Sequence, residues 1–383
     1  MAWDEARAVW VVSGYPEALA ALTSPHTSVA TAGARIRPAL GTHAGHFEPL
    51  MAAVSHFLTR VDPPDHTRLR ALVQKAFTNE AVARMETTVR ALVEGLLGAA
   101  ASPEIDVMST VAVPLPLAVI TRLLGAPDAD GIRIKAWSDD LASAADNDPT
   151  EAGLERAQRS LFAMRDSVRE MVDERVRRPR ADLLSALVAA EEAGDRLSPD
   201  ELFGIVQVLL IAGQETTTNL IGNAVHALLR HPDALARVRA ERALMASAIE
   251  ECARWDSPVQ VRTRVTRAPL ELGSQTVPAG QTLFILLGAA NRDPRAFPEP
   301  DRFDPGRAHN RHLSFGHGIH YCLGAALARQ ETRVALETLF ARWPRLALAP
   351  GPPPRRRPNF GLRGFGELRL APAPAASSAA PGA

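Results

Sequence analysis

Phe315-Gly316-His317-Gly318-Ile319-His320-Tyr321-Cys322-Leu323-Gly324 places one cysteine among glycines, directly ahead of apolar positions at Leu323, Leu327 and Val334. The glycines let the backbone pass close to a flat ligand, and the apolar spacing predicts a helix that begins directly after the sulfur. Cys322 is thus expected at a helix N-terminus. Free amide N–H groups and the positive end of the dipole there lower a thiol's pKa and favour thiolate, the form that ligates metal.

The run fits Phe-x-x-Gly-x-x-x-Cys-x-Gly through Phe315, Gly318, Cys322 and Gly324. On these residues the chain resembles the cytochrome P450 family. The resemblance implies a mainly α fold with small β-sheets in a single large domain, and Cys322 as proximal ligand to haem b iron. Phe315, Gly316, His320 and Gly324 fall with it among the expected cofactor-binding residues.

Composition agrees with one sizeable globular unit. The chain has 383 residues, is 46% hydrophobic and 22% charged, and carries 43 basic against 43 acidic side chains. A balanced charge gives no global field for nucleic acid or an anionic membrane. The chain holds two cysteines, and Cys252 lies far from Cys322, so there is no disulfide framework and a reducing cytoplasm is expected. The apolar run Ala8 to Val12 is too short for a signal or spanning segment.

Apolar spacing is helical from about Pro64 to Trp255 and turns to short β-like runs between Leu270 and Leu287. A Pro- and Arg-rich irregular stretch follows to about His312, and a last strand is expected near Leu368 to Leu370. The expected P450 domain spans 1–370. The Ala/Pro/Ser-rich segment 371–383 is expected to be a disordered tail. Family members usually carry a longer lead before the first strand than the one ahead of Ala8, so either a missing first helix or a misassigned start is expected.

Ser198-Pro199-Asp200-Glu201 is a capping box with proline at the first helical position, and His231-Pro232 marks the stop. A helix between them would be roughly 45 to 50 Å long and cross the domain. Its middle, Ala212-Gly213-Gln214-Glu215-Thr216-Thr217-Thr218, breaks helix preferences, which points to function. Thr216 can bond the carbonyl of Ala212 one turn back and, with Gly213, loosen the helix into an oxygen-sized groove. Ala212-Gly213-x-Glu215-Thr216 matches the family's oxygen-activation motif. The resemblance gives Thr216 and Glu215 catalytic roles in proton delivery and sets Ala212 against the haem.

Glu251 and Arg254 lie three apart on one helical face. By resemblance this pair is structural and is joined by an arginine from the irregular stretch, matched by Arg302 in Pro300-Asp301-Arg302-Phe303. His66 and Arg70 project together from one helix and, with Arg264 and His320, match contacts to haem propionates. Expected substrate-pocket contributors by position are the loop before Asp62, Leu209, Ala212, Val259, Val261 and Phe360. They are mainly apolar, and nothing between Pro127 and Arg180, where the lid helices should fall, identifies a substrate.

The function so implied is a haem-thiolate monooxygenase. It would insert one atom of O2 into a small hydrophobic substrate of secondary-metabolite type, with electrons from a ferredoxin or flavodoxin fed by an NAD(P)H-dependent reductase. The alternatives are a peroxide-driven haem enzyme, a P450 catalysing desaturation or oxidative coupling, and a haem-binding carrier or sensor. His309, His312, His317 and His320 around Cys322 also admit zinc. Arg68, Lys75 and Arg329 are expected to border the cysteine side of the haem and to steer an acidic ferredoxin.

Overall fold

The helix between Ser198 and His231 organises the molecule. In the computed structural model, which describes residues 1–30, 45–100, 102, 104–127, 130–144, 150–192 and 194–373, it runs unbroken from Pro199 to Arg230. Ser198 Oγ accepts from the Glu201 N–H at 3.4 Å, and the Glu201 carboxylate accepts from the Ser198 N–H at 2.8 Å, so the expected capping box forms. Thirty-two residues give a rod about 48 Å long.

Its first half buries Leu202, Phe203 and Val206, and its second half buries Leu220, Ile221 and Val225. Around it pack Pro114–Leu124, Glu151–Arg177, Leu244–Trp255 and Ala325–Arg342. Gly213 permits a close crossing, because a Cβ there would lie 3.3 Å from Ile120 Cγ1. Cys252 is fully buried on Leu244–Trp255 as a packing residue.

A smaller apolar cluster lies against a five-stranded sheet of spatial order Ala2–Asp4, Val9–Val12, Thr282–Leu286, Val261–Thr266 and Thr27–Ser28. Leu283 pairs with Trp10 in the parallel ladder and with Arg264 in the antiparallel one. Helical body and small sheets are arranged as the sequence implies. The strand Val261–Thr266 starts earlier than the β-like run read from Leu270.

The last strand, Arg369–Pro372, pairs Pro372 with Leu346 and so uses two residues assigned to the tail at 371. Residues of that segment beyond 373 lie outside the described residues. No helix among the described residues is long and apolar enough to cross a membrane.

Candidate active site

The cysteine loop is built from backbone turns that only glycine takes easily. Gly316 and Gly318 have φ of +73° and +69°. The Gly316 N–H donates to Leu313 O at 2.8 Å, and the Cys322 N–H to Phe315 O at 2.9 Å. The following helix begins at Ala325 with Gly324 as its cap, so Cys322 stands two residues before the cap and not at the first helical position. A Cβ on Gly324 would meet nothing within 4 Å.

The sulfur opens onto a cavity between the loop, the long helix and the strand Val261–Thr266. Burial pushes the Cys322 thiol up, against the Gly324 N–H and the charges of Arg262, Arg70 and Arg329, which favour thiolate. Desolvation therefore outweighs the local donors expected to lower it. A bound metal displaces the proton directly.

Behind the loop, Glu251 and Arg254 are both fully buried, with Arg254 Nε to Glu251 Oε2 at 2.8 Å and Nη2 to Oε1 at 2.8 Å. The third member is Arg307, whose Nε donates to Glu251 Oε2 at 3.1 Å. This corrects Arg302, whose exposed side chain pairs with Glu299 at 3.0 Å while its backbone carbonyl accepts from Arg254 and Arg307. Asn310 and the Asp304 N–H complete the carboxylate's partners.

Arg254 Nη1 also donates to Asn291 O at 3.0 Å. The Asn291 side chain in turn accepts from the Leu313 N–H at 2.7 Å and donates to Ser314 Oγ at 2.9 Å. Ser314 Oγ donates to Ala253 O at 2.6 Å, tying the loop to the Glu251–Arg254 helix. Removing one member of a buried ion cluster strands the others, at about 3 to 5 kcal/mol. Arg307→Ala is expected to cost that order of stability in denaturant unfolding, and Arg302→Ala under about 1 kcal/mol. Equal losses would restore Arg302 to the cluster.

His66, Arg70, Arg264 and His320 all line the cavity, as expected. The His66 and His320 rings lie 4.2 Å apart. His66 is 2% exposed, and neither of its ring nitrogens has a hydrogen-bond partner among the described residues. Burial, helped by nearby cations, holds the His320 imidazole down at about 3, and burial also lowers His66, so both are neutral. Burial likewise lowers Arg70, and Arg264 to about 10.

The unpartnered His66 ring nitrogens, the buried Arg264 and the half-buried Arg70 beside a sulfur fit a macrocycle that carries two carboxylates and an iron. The zinc alternative finds no support. No group of three or more His, Cys, Asp or Glu among the described residues can hold a metal ion, and His312 is engaged with Glu250 at 3.1 Å.

Leu209, Ala212, Thr216, Val259, Phe315, Gly316 and Gly324 also line the cavity. Thr216 Oγ1 donates to Ala212 O at 3.0 Å, the back-bond read from the motif. Glu215 does not line the cavity; its partly exposed carboxylate lies 4.0 Å from Arg357, and burial raises its pKa. Val261 and Phe360 are corrections. Val261 lies on the opposite strand face from Arg262 and Arg264, and Phe360 is 42% exposed against Phe284. Ile120, Val208 and Arg262 line the cavity and were not read from sequence.

Of the expected steering cations, Arg68 and Arg329 prove to be paired. Arg68 is tied to Glu201 and Asp195, near the start of the long helix, and Arg329 is held by Glu250 at 2.6 and 2.7 Å above the Phe315 ring. Burial works to raise the Glu250 pKa, but hydrogen bonds from Arg329 and His312 prevail and hold it at about 2. Arg68 and Arg329 are therefore already neutralised.

Fold and site together define a haem-thiolate oxidoreductase. The sequence profile of cytochrome P450 matches residues 144–362. Cytochrome P450 monooxygenase PikC of Streptomyces venezuelae is 41% identical over 349 residues, covering 90% of this chain and 80% of that protein. Vitamin D(3) 25-hydroxylase of Pseudonocardia autotrophica is 43% identical over 294 residues, covering 76% and 71%. The crystal structure of P450BioI in complex with an acyl carrier protein ligated to hexadec-9Z-enoic acid matches with a TM-score of 0.88 at 35% identity, covering 95% of this chain and 91% of that one. The chain belongs to the cytochrome P450 family: it is a monooxygenase that binds haem b.

Proposed function

We propose that the chain inserts one oxygen atom from O2 into a small hydrophobic molecule of secondary-metabolite type, with single electrons from a ferredoxin or flavodoxin and its NAD(P)H-dependent reductase, in the cytoplasm. The observation that carries the reading is one cavity bounded by Cys322 on the loop side and by Ala212 and Thr216 on the long helix. PikC is named a monooxygenase, and the Bacillus subtilis relative PksS a polyketide biosynthesis cytochrome P450. Family membership supports the electron donors.

Haem b, once bound, supplies the dioxygen chemistry, and a thiolate ligand favours O–O cleavage. Cys322 would hold the iron, and Arg70, Arg264, His66 and His320 would hold the propionates. Leu209 and Val259 give the substrate an apolar wall and keep water out. Thr216, resting on Ala212 O, turns its hydroxyl toward oxygen, and Glu215 passes protons inward from its partly exposed position. Turnover of a polyketide panel with ferredoxin, reductase and NAD(P)H under ¹⁸O2 tests this. A product carrying one ¹⁸O is expected. Turnover with hydrogen peroxide but not with the ferredoxin system would instead mark a peroxide-driven enzyme.

A further inference from the structure

The segment from Trp255 to Gln260 borders two cavities. Pro258 and Val259 line the one that holds Cys322, whereas Trp255, Asp256, Ser257 and Gln260 line a second, of about 350 Å³. Arg292, Arg356 and Arg363 also open onto the second cavity, and Asp256 is the one acid among its described lining residues.

Two of the three guanidiniums are held rigidly by the protein. That of Arg356 lies 3.7 Å from the centre of the Phe365 ring, and its Nη1 donates to Asn223 Oδ1 at 2.6 Å. That of Arg292 lies 3.7 Å from the centre of the Trp255 ring, and its Nη2 donates to Trp255 O at 2.8 Å. A guanidinium stacked and bonded in this way has already lost its rotamer freedom, so receiving an anion costs little further ordering. A solvated surface arginine would not be so fixed.

Their charge is incompletely matched. The buried Asp256 serves two of them: its Oδ2 accepts from Arg356, and its Oδ1 accepts from Arg363 Nε at 2.6 Å. The terminal nitrogens of Arg363 make no hydrogen bond among the described residues. Arg292 pairs at 2.7 Å with Asp301, whose side chain is 86% exposed and lies outside the cavity lining, where water screens it. His226, also on the lining, adds no negative charge: burial and the Arg356 cation hold it neutral, with its pKa at about 4. Three guanidiniums thus share one carboxylate inside the cavity.

We propose that this cavity binds a phosphoryl oxyanion, either inorganic phosphate or the phosphate of a small organic molecule. Planar guanidinium forks match phosphate oxygens in pairs, and an excess of positive charge favours a dianion over a halide. The volume falls at the small end of ligand pockets, which run from roughly 300 to 1,000 Å³, and leaves room for an organic body beside the phosphoryl group. The site uses none of the monooxygenase residues.

The test is calorimetric titration of ferric holoenzyme with inorganic phosphate and with glycerol 3-phosphate, at an ionic strength held constant with chloride. Saturable binding of at least one of them, at a single site per chain, is expected over that chloride background. Tighter binding of inorganic phosphate marks a free anion, and tighter binding of glycerol 3-phosphate an organic ligand. Arg363→Gln, which changes a side chain 47% exposed, and Arg292→Gln are each expected to weaken binding about tenfold or more. Arg355→Gln, exposed and outside the lining, is expected to leave it unchanged. No saturable phosphate binding to the wild-type protein overturns the proposal. So does full affinity in Arg363→Gln, or in an Arg292→Gln protein that melts as the wild type does. An equal loss in Arg355→Gln overturns it too, since that would mean diffuse attraction to the basic run from Arg355 to Arg357.

Discussion

Cys322→Ser is expected to abolish the red-shifted Soret band of the ferrous carbonyl complex and, with it, all monooxygenase turnover. The sulfur is the one soft ligand open to the cavity, since Cys252 is fully buried on a helix behind the loop. A serine hydroxyl in its place is a poor iron ligand and cannot push electron density as a thiolate does. Cys252→Ala is expected to cost about 1 kcal/mol of stability and leave the spectrum alone. A histidine-type spectrum from the wild-type protein, or a thiolate band that survives in Cys322→Ser, would sink this assignment.

The second large effect is expected at Thr216 and Glu215. Thr216→Ala removes the hydroxyl that rests on Ala212 O but leaves the cavity walls in place, so haem and substrate still bind while reducing equivalents drain into hydrogen peroxide. General acid assistance is typically worth about 10²- to 10⁴-fold, and Glu215→Gln is expected to slow turnover within that range. The pH profile follows from the direction of the shift. Burial raises the Glu215 pKa, so the protonated donor persists to higher pH than for an exposed glutamate, and turnover should decline as pH rises through that raised value. The Gln variant should lack this limb. Unchanged coupling in Thr216→Ala would leave the residue a helix-packing group.

What could be read in advance was whatever the chain writes locally. The glycines around Cys322, the capping box at Ser198, the i to i+4 back-bond of Thr216 and the spacing of His66 and Arg70 each lie within one or two turns. Arg307 could not be distinguished from Arg302 that way. The segment from Asn291 to His312 holds Arg292, Arg295, Arg302, Arg307 and Arg311 without periodicity, and only the folded path shows which one reaches Glu251. The Asn291 to Ser314 clasp likewise spans 23 residues of irregular chain. Arg262 was legible and overlooked: with Arg264 placed on the cavity, strand alternation puts Arg262 beside it and Val261 on the reverse face. Phe360 was placed by family position alone, and its ring instead leans on Phe284 outside the cavity.

The clasp through Asn291 and Ser314 also bears on how the enzyme matures. Each bond described there runs from polypeptide to polypeptide, so the sulfur's seat is finished by folding alone and asks nothing of the cofactor. The opposite side is unfinished: both His66 ring nitrogens lack a partner, and Arg70 and Arg264 have no ion pair among the described residues, Arg264 donating only to Thr263 O at 2.9 Å. Loading is then asymmetric. The iron meets a ligand already in position, whereas the formed helix Asp65–Ala76 gains partners for His66 and Arg70 only when the propionates arrive.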